Sequence, residues 1–564
     1  MKLNYKRTIF VGFAFFLICA FWQAYDNTIP LILTNKFGLS QTASGVVMAL
    51  DNILALFMLP LFGAISDKCS NRLGKRTPFI LVGTIVAAVV LICLTFADNM
   101  QLKQIAKVSS IDDPAAMQEI YENEKDAELQ TPDGDKFVLS KIFADGEEFT
   151  KIPAKLIVED GKVKASRKDP DSKKETSAEE YEIQPLVDRE ILNKSQADSI
   201  LKHKEGAAFT NPVYSYYVAP ARQAYAWGVT KQSSTPLIFF MILLLIVLVS
   251  MSTFRSPAVA LMPDVTIKPL RSKANAIINL MGSAGGILIL ALGIVFKTSD
   301  VRNSLMSYTG YFAIIAGIML LALSIFMWKV REPRFAKEMQ EQSKAFGIED
   351  NVDDHQDAGS RKLSKGEKRS LFFLLASIIL WFMGYNAVTS KYSVYASNVL
   401  HKDYNLTLII AQAAAIVSYL PVGIISSKIG RKKTILAGII MLTTAFGVAC
   451  FLRQSSPTML MNAMFALAGI GWATINVNSF PMVVEMSKAG DVGRYTGFYY
   501  TASMAAQAVT PWLCGIFMDR IAWTALFPYA AVFVALAFVT MLFVRHGDNK
   551  PIAKTGLEAL DVED

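Results

Sequence analysis

Long apolar blocks alternate with short polar connections along most of the chain. A run of about 20 apolar residues is long enough to cross the hydrocarbon core of a bilayer as an α-helix. Twelve such spans can be identified, at residues 8–33, 43–65, 78–97, 236–262, 274–297, 308–329, 370–392, 404–427, 434–452, 458–484, 495–518 and 524–544. The pattern predicts an all-α membrane protein with twelve transmembrane helices.

The first span resembles the apolar part of a signal peptide, since Lys2, Lys6 and Arg7 precede it. No small-residue cleavage pattern follows it, and its apolar character continues past Pro30. We therefore expect an uncleaved first helix.

A polar segment, residues 98–235, interrupts the pattern between spans three and four. Asp113 to Leu129 begins with Asp-Pro, which indicates a helix start. Leu156 to Lys164 reads as a β-hairpin with Asp160-Gly161 at its turn, and a second helix is predicted over 185–203. We expect a small α+β domain here, with an unstructured loop as the alternative.

A short basic loop occurs twice. Gly63 to Arg76 reads GAISDKCSNRLGKR, and Gly423 to Lys433 reads GIISSKIGRKK. Each copy follows the second span of a set of six, so the protein is predicted to consist of two similar six-helix bundles. We divide the chain into helices 1–3 of the N-terminal bundle (1–97), the insertion domain (98–235), helices 4–6 (236–330), a linker (331–368), the C-terminal bundle with helices 7–12 (369–546) and a tail (547–564). In the linker, Arg334 to Phe346 is amphipathic and 349–359 is acidic.

Positive charge is concentrated in the connections on one side of the bundles. These connections include Lys68 to Arg76, Lys329 to Arg334 and Lys428 to Lys433, whereas the short connections opposite carry one or two basic residues each. The positive-inside rule places both termini, the linker and the tail in the cytoplasm and the insertion outside the cell. The expected location is the inner or plasma membrane.

The net charge of +8 mainly reflects these loops, because residues 98–233 carry 19 Lys and Arg against 25 Asp and Glu. Basic residues dispersed among apolar spans do not form a nucleic-acid surface. The five cysteines have no metal-ligand spacing and give no disulfide framework. We expect no cofactor, no metal and no nucleic-acid partner.

Ionisable residues inside the membrane are costly unless they face protein or water, so they indicate a functional site. Spans 3, 6, 9 and 12 have none in their interiors, which predicts that these four face lipid while the others line a cavity. Asp51 lies about 15 Å into span 2, near the midplane, and is the candidate for proton coupling. Direct sugar contact and a permanent structural hydrogen bond are the alternatives for Asp51.

The candidate substrate-binding residues are polar or aromatic and lie in the predicted cavity helices: Gln23, Asp26, Asn27, Asn52, Arg255, Asn386, Gln412, Trp472, Asn476 and Gln507. For Arg255, an anchor at the inner leaflet is the alternative. Lys391 lies near the outer end of span 7, where a lysine can reach water. The candidate cytoplasmic gate residues are charged and lie at the inner helix ends: Asp67, Arg72, Lys75, Arg76, Asp264, Lys428, Arg431 and Glu485.

No nucleotide-binding loop and no catalytic constellation is found, so ATP hydrolysis and enzyme activity are not expected. The four histidines, His203, His355, His401 and His546, all lie away from the middle of a span. We therefore expect no histidine proton relay.

The doubled Gly-x-x-x-[Asp/Ser]-Lys…Gly-[Lys/Arg] loop resembles the signature of the major facilitator superfamily. Gly63 to Phe79, together with Ala260-Leu-Met-Pro-Asp264 and Arg271 to Ala276, resembles its sucrose-transporter branch, which is related to glycoside–pentoside–hexuronide:cation symporters. The resemblance covers the twelve spans and implies alternating access with cation symport of a glycoside. Related melibiose-type symporters present paired acidic cation ligands before a Pro in helix 2, whereas Ala55 to Leu59 before Pro60 is apolar here. This departure favours protons over sodium.

We expect a secondary active transporter that imports a sugar or glycoside, such as a di- or oligosaccharide, together with protons. An exporter of amphipathic molecules is one alternative. A surface receptor that does not transport, with the insertion as its binding part, is another.

Overall fold

The computed structural model describes residues 3–143, 145–168, 175–201, 203–267, 270–345, 364–484, 486 and 492–547. The N-terminal part begins with α1 (Tyr5–Asn35), α2 (Gln41–Asp67) and α3 (Thr77–Gln104). The insertion contains α4 (Pro114–Glu124), β1 (Leu129–Gln130), β2 (Lys136–Phe137), α5 (Leu139–Ile142), α6 (Gly146–Thr150), β3 (Lys155–Glu159), β4 (Lys162–Lys168), β5 (Glu175–Glu180), α7 (Gln184–Asp188), α8 (Lys194–Leu201), β6 (Phe209–Thr210) and α9 (Ala219–Gln232).

The chain then returns to long apolar helices. The first half ends with α10 (Thr235–Val265), α11 (Arg271–Phe296) and α12 (Thr309–Lys329), and the linker contains α13 (Glu332–Ala345). The second half comprises α14 (Lys365–Tyr395), α15 (Tyr404–Ile429), α16 (Arg431–Ala449), α17 (Thr458–Val484), α18 (Val492–Arg520) and α19 (Leu526–Leu542). All twelve predicted spans coincide with long helices, and ten of these are long and apolar enough to cross a membrane.

Polar caps set several of the helix boundaries. The Ser40 side chain accepts from the Ala43 amide at the start of α2. Ser364 and Glu367 form a capping box at the start of α14, which satisfies two amides that have no partner inside the helix. Gly430 separates α15 from α16 with φ +94°, a conformation that glycine adopts without strain.

The helices form two bundles, each with its own apolar core. In the first bundle α1 packs against α11 and α3 against α10; in the second, α14 packs against α19 and α17 against α15 and α16. The main contacts between the bundles pair α1 with α14, α2 with α18 and α11 with α15. Helix α1 thus meets its own equivalent, α14, whereas α2 meets α18, the equivalent of α11, and α11 meets α15, the equivalent of α2.

The helices that lack internal charges, α3, α12, α16 and α19, take no part in these main contacts between the bundles. On α3, the apolar side chains of Val82, Val89 and Phe96 are 57%, 51% and 61% exposed. Their seven-residue spacing places them on one face of the helix. An exposed apolar stripe of this kind is what a lipid-facing helix presents.

The insertion is a folded α+β unit with its own core, which includes Ile120, Phe149 and Leu156. Its larger sheet has the antiparallel order β5-β4-β3-β6, in which β3 and β4 form the predicted hairpin, and β1 and β2 pair in a separate two-stranded sheet. Asp160 and Gly161 both have positive φ at its turn, so the hairpin prediction is confirmed. We name the side of the bundles that carries the insertion the insertion face, and the opposite side, which carries the two basic loops, the loop face.

Two details of the insertion differ from the sequence predictions. The predicted helix over 185–203 is two short helices, α7 and α8, because Glu190 adopts φ +60° between them. The two ends of the insertion also meet: Gln104 Nε2 donates to Ser233 Oγ at 2.7 Å, and Gln101 Nε2 donates to Thr230 Oγ1 at 3.0 Å. The chain therefore returns to α10 close to the point at which it leaves α3.

The amphipathic segment of the linker is helical, as predicted, in α13. The acidic stretch 349–359, the tail beyond residue 547 and the predicted gate residue Glu485 lie outside the described residues.

Candidate functional site

The two bundles close against each other at the insertion face. The carboxylate of Asp519, at the end of α18, accepts from the backbone amides of Gln41 and Thr42 at 2.8 and 2.6 Å. These amides belong to the first turn of α2, where a helix leaves its N–H groups without internal partners. An anion is favoured at this position, because the N-terminus of a helix carries partial positive charge.

Lys391, on α14, also contacts the first half at the closed insertion face. Its ammonium donates to the Gln41 carbonyl oxygen at 2.6 Å, and the side chain is fully buried. The expectation that Lys391 reaches water is therefore wrong in this state, because the N-terminus of α2 covers it. A lysine buried at this contact ties the second half to the first.

Small residues let α2 and α18 approach closely at this contact. A Cβ atom at Gly45 would lie 2.1 Å from the Pro511 carbonyl oxygen, and one at Gly515 would lie 2.3 Å from the Gln41 carbonyl oxygen. Two further pairs join the halves nearby: Asn398 Nδ2 donates to Asn35 Oδ1 at 3.1 Å, and Tyr404 and Thr298 share a hydroxyl hydrogen bond of 2.6 Å.

At mid-depth, one hydrogen bond links the predicted binding residues of the two halves. Gln412 Nε2 on α15 donates to Gln23 Oε1 on α1 at 2.6 Å. Gly286 on α11 lies beside the pair, since a Cβ there would sit 3.3 Å from Oε1 of either glutamine. The amide of Asn27 donates to the Gln23 backbone oxygen at 2.8 Å, one turn along α1. The structure therefore brings Gln23, Asn27 and Gln412 together.

The first half also holds two carboxylates and one guanidinium among these polar residues. Asn52 Nδ2 donates to Asp51 Oδ1 at 2.7 Å. Arg255 on α10 interacts electrostatically with both Asp26 and Asp51 and lies 5.7 Å from the Trp22 ring centroid. Two acids and one base give this cluster a formal charge of −1 when all are ionised, so it can accept a proton without an uncompensated positive charge.

The second half contributes aromatic and amide groups. The Trp472 ring stacks on Tyr385 at 3.6 Å with an interplanar angle of 4°. On the same helix as Tyr385, the buried Nδ2 of Asn386 has no hydrogen-bond partner among the described residues. Asn476 is buried on α17, and Gln507 is half-buried on α18. Stacked rings beside amides suit a ligand with both hydroxyl groups and an apolar ring face.

The predicted gate residues of the first half form a cluster at the loop face. Arg76 Nε donates to Asp264 Oδ2 at 2.8 Å, and Arg76 also pairs closely with Asp67 and Ser66. Every one of these contacts lies within the first half. These contacts therefore do not link the two halves in this state, in which Arg72 and Lys75 have exposed side chains.

Glu332 organises this cluster, although the sequence analysis did not select it. Its carboxylate is 4% exposed and accepts from the amides of Lys75, Arg76 and Thr77 at 2.7–2.9 Å and from Thr77 Oγ1 at 2.7 Å. The amides belong to the start of α3, so Glu332 of the linker caps a membrane helix. Gly74 has φ +118°, and a Cβ there would lie 2.3 Å from Glu332 Oε2.

In the second half, the basic loop is arranged differently. One contact of this loop comes from Lys432, whose ammonium donates to the carbonyl oxygens of Leu542 at 3.0 Å and Val544 at 2.5 Å, and another comes from Ser426, whose hydroxyl donates to Asn478 Oδ1. Lys428 is exposed, and Arg431 begins α16. The contacts of Lys432 therefore differ from those of Arg76 in the first copy of the loop.

Sequence reasoning missed Glu332, Asp519 and Tyr385. Glu332 and Asp519 each lie at the end of a membrane helix beside a basic residue, where an acid reads as an ordinary surface charge. Asp519 could have been selected from the sequence, because few acidic residues lie on the predicted outer side of the second half. Tyr385 lies on the same span as Asn386, and an aromatic residue in an apolar span has no distinguishing pattern.

Two bundles related by a repeat, closed at one face and lined by polar groups at mid-depth, define a multi-pass membrane transporter. The family model described as Major Facilitator Superfamily matches residues 223–419 and 401–561, more than half of the chain, and a model described as MFS/sugar transport protein matches residues 10–107. The chain belongs to the Major Facilitator Superfamily. This match confirms the predicted family and fold class. It also confirms that the protein is a transporter and not an enzyme.

Two curated relatives match a short part of the chain. The sucrose transport protein SUC3 of Arabidopsis thaliana is 35% identical over 71 residues, which is 13% of this chain and 12% of the relative. The sucrose transport protein SUT3 of Oryza sativa subsp. indica is 34% identical over 71 residues, 13% of this chain and 14% of that protein. The matches thus span about one eighth of the length of these relatives.

Solved structures share the fold over nearly the full length. The xylose transporter XylE from E. coli in an inward open conformation has a TM-score of 0.54 at 16% identity, covering 96% of this chain and 97% of that one. A D-xylose-proton symporter has a TM-score of 0.53 at 14% identity, covering 96% of this chain and 99% of that one. A mutant form of the nucleoside transporter NupG has a TM-score of 0.51 at 12% identity, covering 96% of this chain and 100% of that one.

Proposed function

We propose that this protein is a secondary active transporter that imports a sugar or glycoside together with protons by alternating access. The observation that carries the proposal is the division of polar groups between the bundles. The first half supplies Asp26, Asp51 and Arg255, the second supplies the stacked pair Tyr385 and Trp472, and the hydrogen bond between Gln23 and Gln412 joins the two sets.

The substrate class is supported by the chemistry of these groups. Amide and carboxylate groups bind hydroxyl groups, and an aromatic face packs against the C–H face of a sugar ring. The match to a model described as MFS/sugar transport protein and the short matches to two sucrose transport proteins favour the same class.

The orientation is also part of the proposal. We place the insertion outside the cell and both termini in the cytoplasm, because the loop face carries the basic connections. The closed insertion face then makes this an inward-facing state. On the loop-face part of α2, exposure rises to 69% at Phe57, whereas Val47 and Met48 near the closure are buried.

Asp51 is the proposed proton-coupling residue. A carboxylate inside the membrane is costly when charged and uncompensated, so its protonation can depend on which side the cavity faces. Arg255 favours the charged form when it lies near, and a substrate that draws Arg255 away would favour protonation. Sugar and proton would then move in the same direction.

The test is uptake by the purified protein in proteoliposomes, with sucrose, maltose, trehalose and lactose, with and without an imposed pH gradient. We expect accumulation of at least one disaccharide that depends on the gradient and is abolished by a protonophore. Accumulation that is insensitive to the pH gradient would overturn proton coupling, and the absence of uptake for every sugar would overturn the substrate class.

A variant separates coupling from binding. Asp51→Asn should abolish accumulation against a gradient while preserving exchange of sugar across the membrane, because exchange needs no net proton movement. Asp113→Asn, an exposed carboxylate of the insertion, is the matched control and should behave like the unaltered protein. If Asp51→Asn accumulates sugar normally, Asp51 has no part in coupling.

A further inference from the structure

A cavity lies at the insertion face, away from the mid-depth residues. Its volume is 390 Å³, within the range of about 300–1,000 Å³ that small-molecule sites occupy. Its walls come from four parts of the chain: the insertion, the outer ends of α1 and α2, the connection between α11 and α12, and the outer ends of α14 and α18. We name it the outer cavity.

The lining of the outer cavity combines aromatic and amide side chains. Trp227 of the insertion and Trp523 of the second half both line it, together with Gln130, Gln223 and Asn398. Trp227 is 39% exposed, so part of its side chain is accessible to a ligand in the cavity. Aromatic faces beside amides are the groups that bind a ring carrying hydroxyl groups.

The amide groups are held in place by the protein. Gln223 Nε2 donates to the Leu39 carbonyl oxygen at 3.0 Å, and Gln130 Nε2 donates to the Ile521 carbonyl oxygen at 3.2 Å. Asn398 Nδ2 donates to Asn35 at 3.1 Å. Because each amide uses its nitrogen in a protein contact, its oxygen remains the group with which it can accept from a ligand hydroxyl.

The charge of the lining argues against an anionic ligand. Arg222 is the basic residue among the lining side chains, and it is engaged by the backbone: its guanidinium donates to the carbonyl oxygens of Val108, of Ser110 at 3.1 Å and of Ile111 at 3.0 Å. Glu128 and Asp519 are acidic and also line the cavity. A sugar phosphate or uronic acid would therefore meet negative charge without a free cation.

The outer cavity borders the closure between the bundles. Ser40 and Ala43 line it, and the intervening Gln41 is fully buried in the contact with Asp519 and Lys391. The insertion also holds the second half here, since the Trp523 amide donates to the Pro132 carbonyl oxygen at 2.9 Å. A ligand in the outer cavity thus lies directly outside the closed gate.

We propose that the outer cavity is a second carbohydrate site, which holds a neutral sugar at the closed gate before the bundles open outward. For its ligand class the proposal rests on the proposed sugar transport. It gives the insertion a function, because Trp227, Gln130 and Gln223 belong to the insertion and the site is incomplete without them.

The experiment is isothermal titration of the full-length protein in lipid nanodiscs with the disaccharides named above, and with glucuronic acid as the anionic comparison. We expect two binding sites for a transported disaccharide and no binding of glucuronic acid at the outer cavity. Trp227→Ala should weaken one site at least tenfold, and Ser304→Trp, which fills the cavity from a half-buried position in its wall, should abolish that site.

Trp328→Ala is the matched control. Trp328 is an exposed tryptophan beside a lysine, as Trp227 is, but it lies at the end of α12, outside the cavity. It should retain both sites. Ser304→Trp should also retain uptake, with a KM raised at least threefold, because the mid-depth site is intact.

The outcomes separate the two proposals. Uptake with a single binding site in the unaltered protein, or with two sites that Ser304→Trp leaves intact, overturns the outer site alone. Binding that depends on Trp227 without uptake of any sugar supports the outer site and overturns the transport function. Neither binding nor uptake overturns both.

Discussion

Replacing Asp519 with Ala should make the insertion face open more often. The carboxylate accepts from two amides at the N-terminus of α2, at 2.8 and 2.6 Å, and these contacts exist when the two bundles are closed at this face. Once the face opens, water can solvate both the amides and the carboxylate. The variant therefore removes stability from the closed state and little from the open state.

The magnitude follows from the two hydrogen bonds. A hydrogen bond to a charged group contributes about 1.5–3 kcal/mol. Asp519 is half-buried and its two bonds share one carboxylate, so we expect a combined effect of about 2–3 kcal/mol, which is about a 30- to 150-fold change in the ratio of closed to open molecules. The partial positive charge of the helix N-terminus acts in the same direction.

The assay is the distance between nitroxide labels on exposed sites of the two halves, at Lys103→Cys on α3 and Phe451→Cys beyond α16, after replacement of the five native cysteines. We expect a longer distance to become populated in Asp519→Ala. Asp113→Ala, which removes a carboxylate that caps the insertion's own helix α4, is the control and should leave the distances unchanged. An unchanged distance distribution in Asp519→Ala would refute the role of this contact in closure.

Three further predictions concern other parts of the molecule. Glu332→Ala should lower the free energy of unfolding in detergent by about 2 kcal/mol, because the start of α3 loses its cap, whereas Glu341→Ala on the exposed side of α13 should change it by less than about 0.5 kcal/mol. Trp472→Ala should raise the KM for sugar uptake about tenfold without loss of expression, and an unchanged KM would remove the stacked rings from the binding site. His401 Nε2 lies 2.5 Å from Ser215 Oγ of the insertion, and desolvation by burial lowers the pKa of His401 to about 4. Since a solvated histidine has a pKa of about 6.5, this contact should be strongest above pH 6.5 and weaken as the pH falls toward 4; hydrogen exchange of the Ser215 segment should rise over that range, and His401→Gln should lose the dependence.

The twelve helices and the two halves could be predicted from the sequence, because span length and the repeated loop are local signals. The predicted boundaries were close at α2, where Ser40 caps a helix that begins at Gln41 and the span was predicted from residue 43. They were less close at α14, where Ser364 caps a helix that begins at Lys365 and the span was predicted from residue 370. The hairpin at Asp160-Gly161 was predictable for the same reason, as its turn chemistry is contained in two residues.

The closure of the insertion face was not predictable in this way. Glu332 bonds a residue 256 positions away, and Gln41 contacts Lys391 and Asp519 at separations of 350 and 478 positions. No periodic pattern specifies such pairs, because each depends on how whole helices pack. Lys391 shows the result: its position near a helix end predicted contact with water, whereas packing of α2 buries it.

The meeting of the insertion's two ends has a consequence for how this protein is made and how it arose. A flexible connection of this length between α3 and α10 would oppose their packing, because the entropy of closing a loop grows with its length. Here Gln101 and Gln104 hold Thr230 and Ser233, so the folded insertion acts as a short connection. An ancestral transporter could have acquired such an insertion without any change in the packing of its membrane helices. During synthesis, the fourth membrane helix can pack against the third once the insertion has folded.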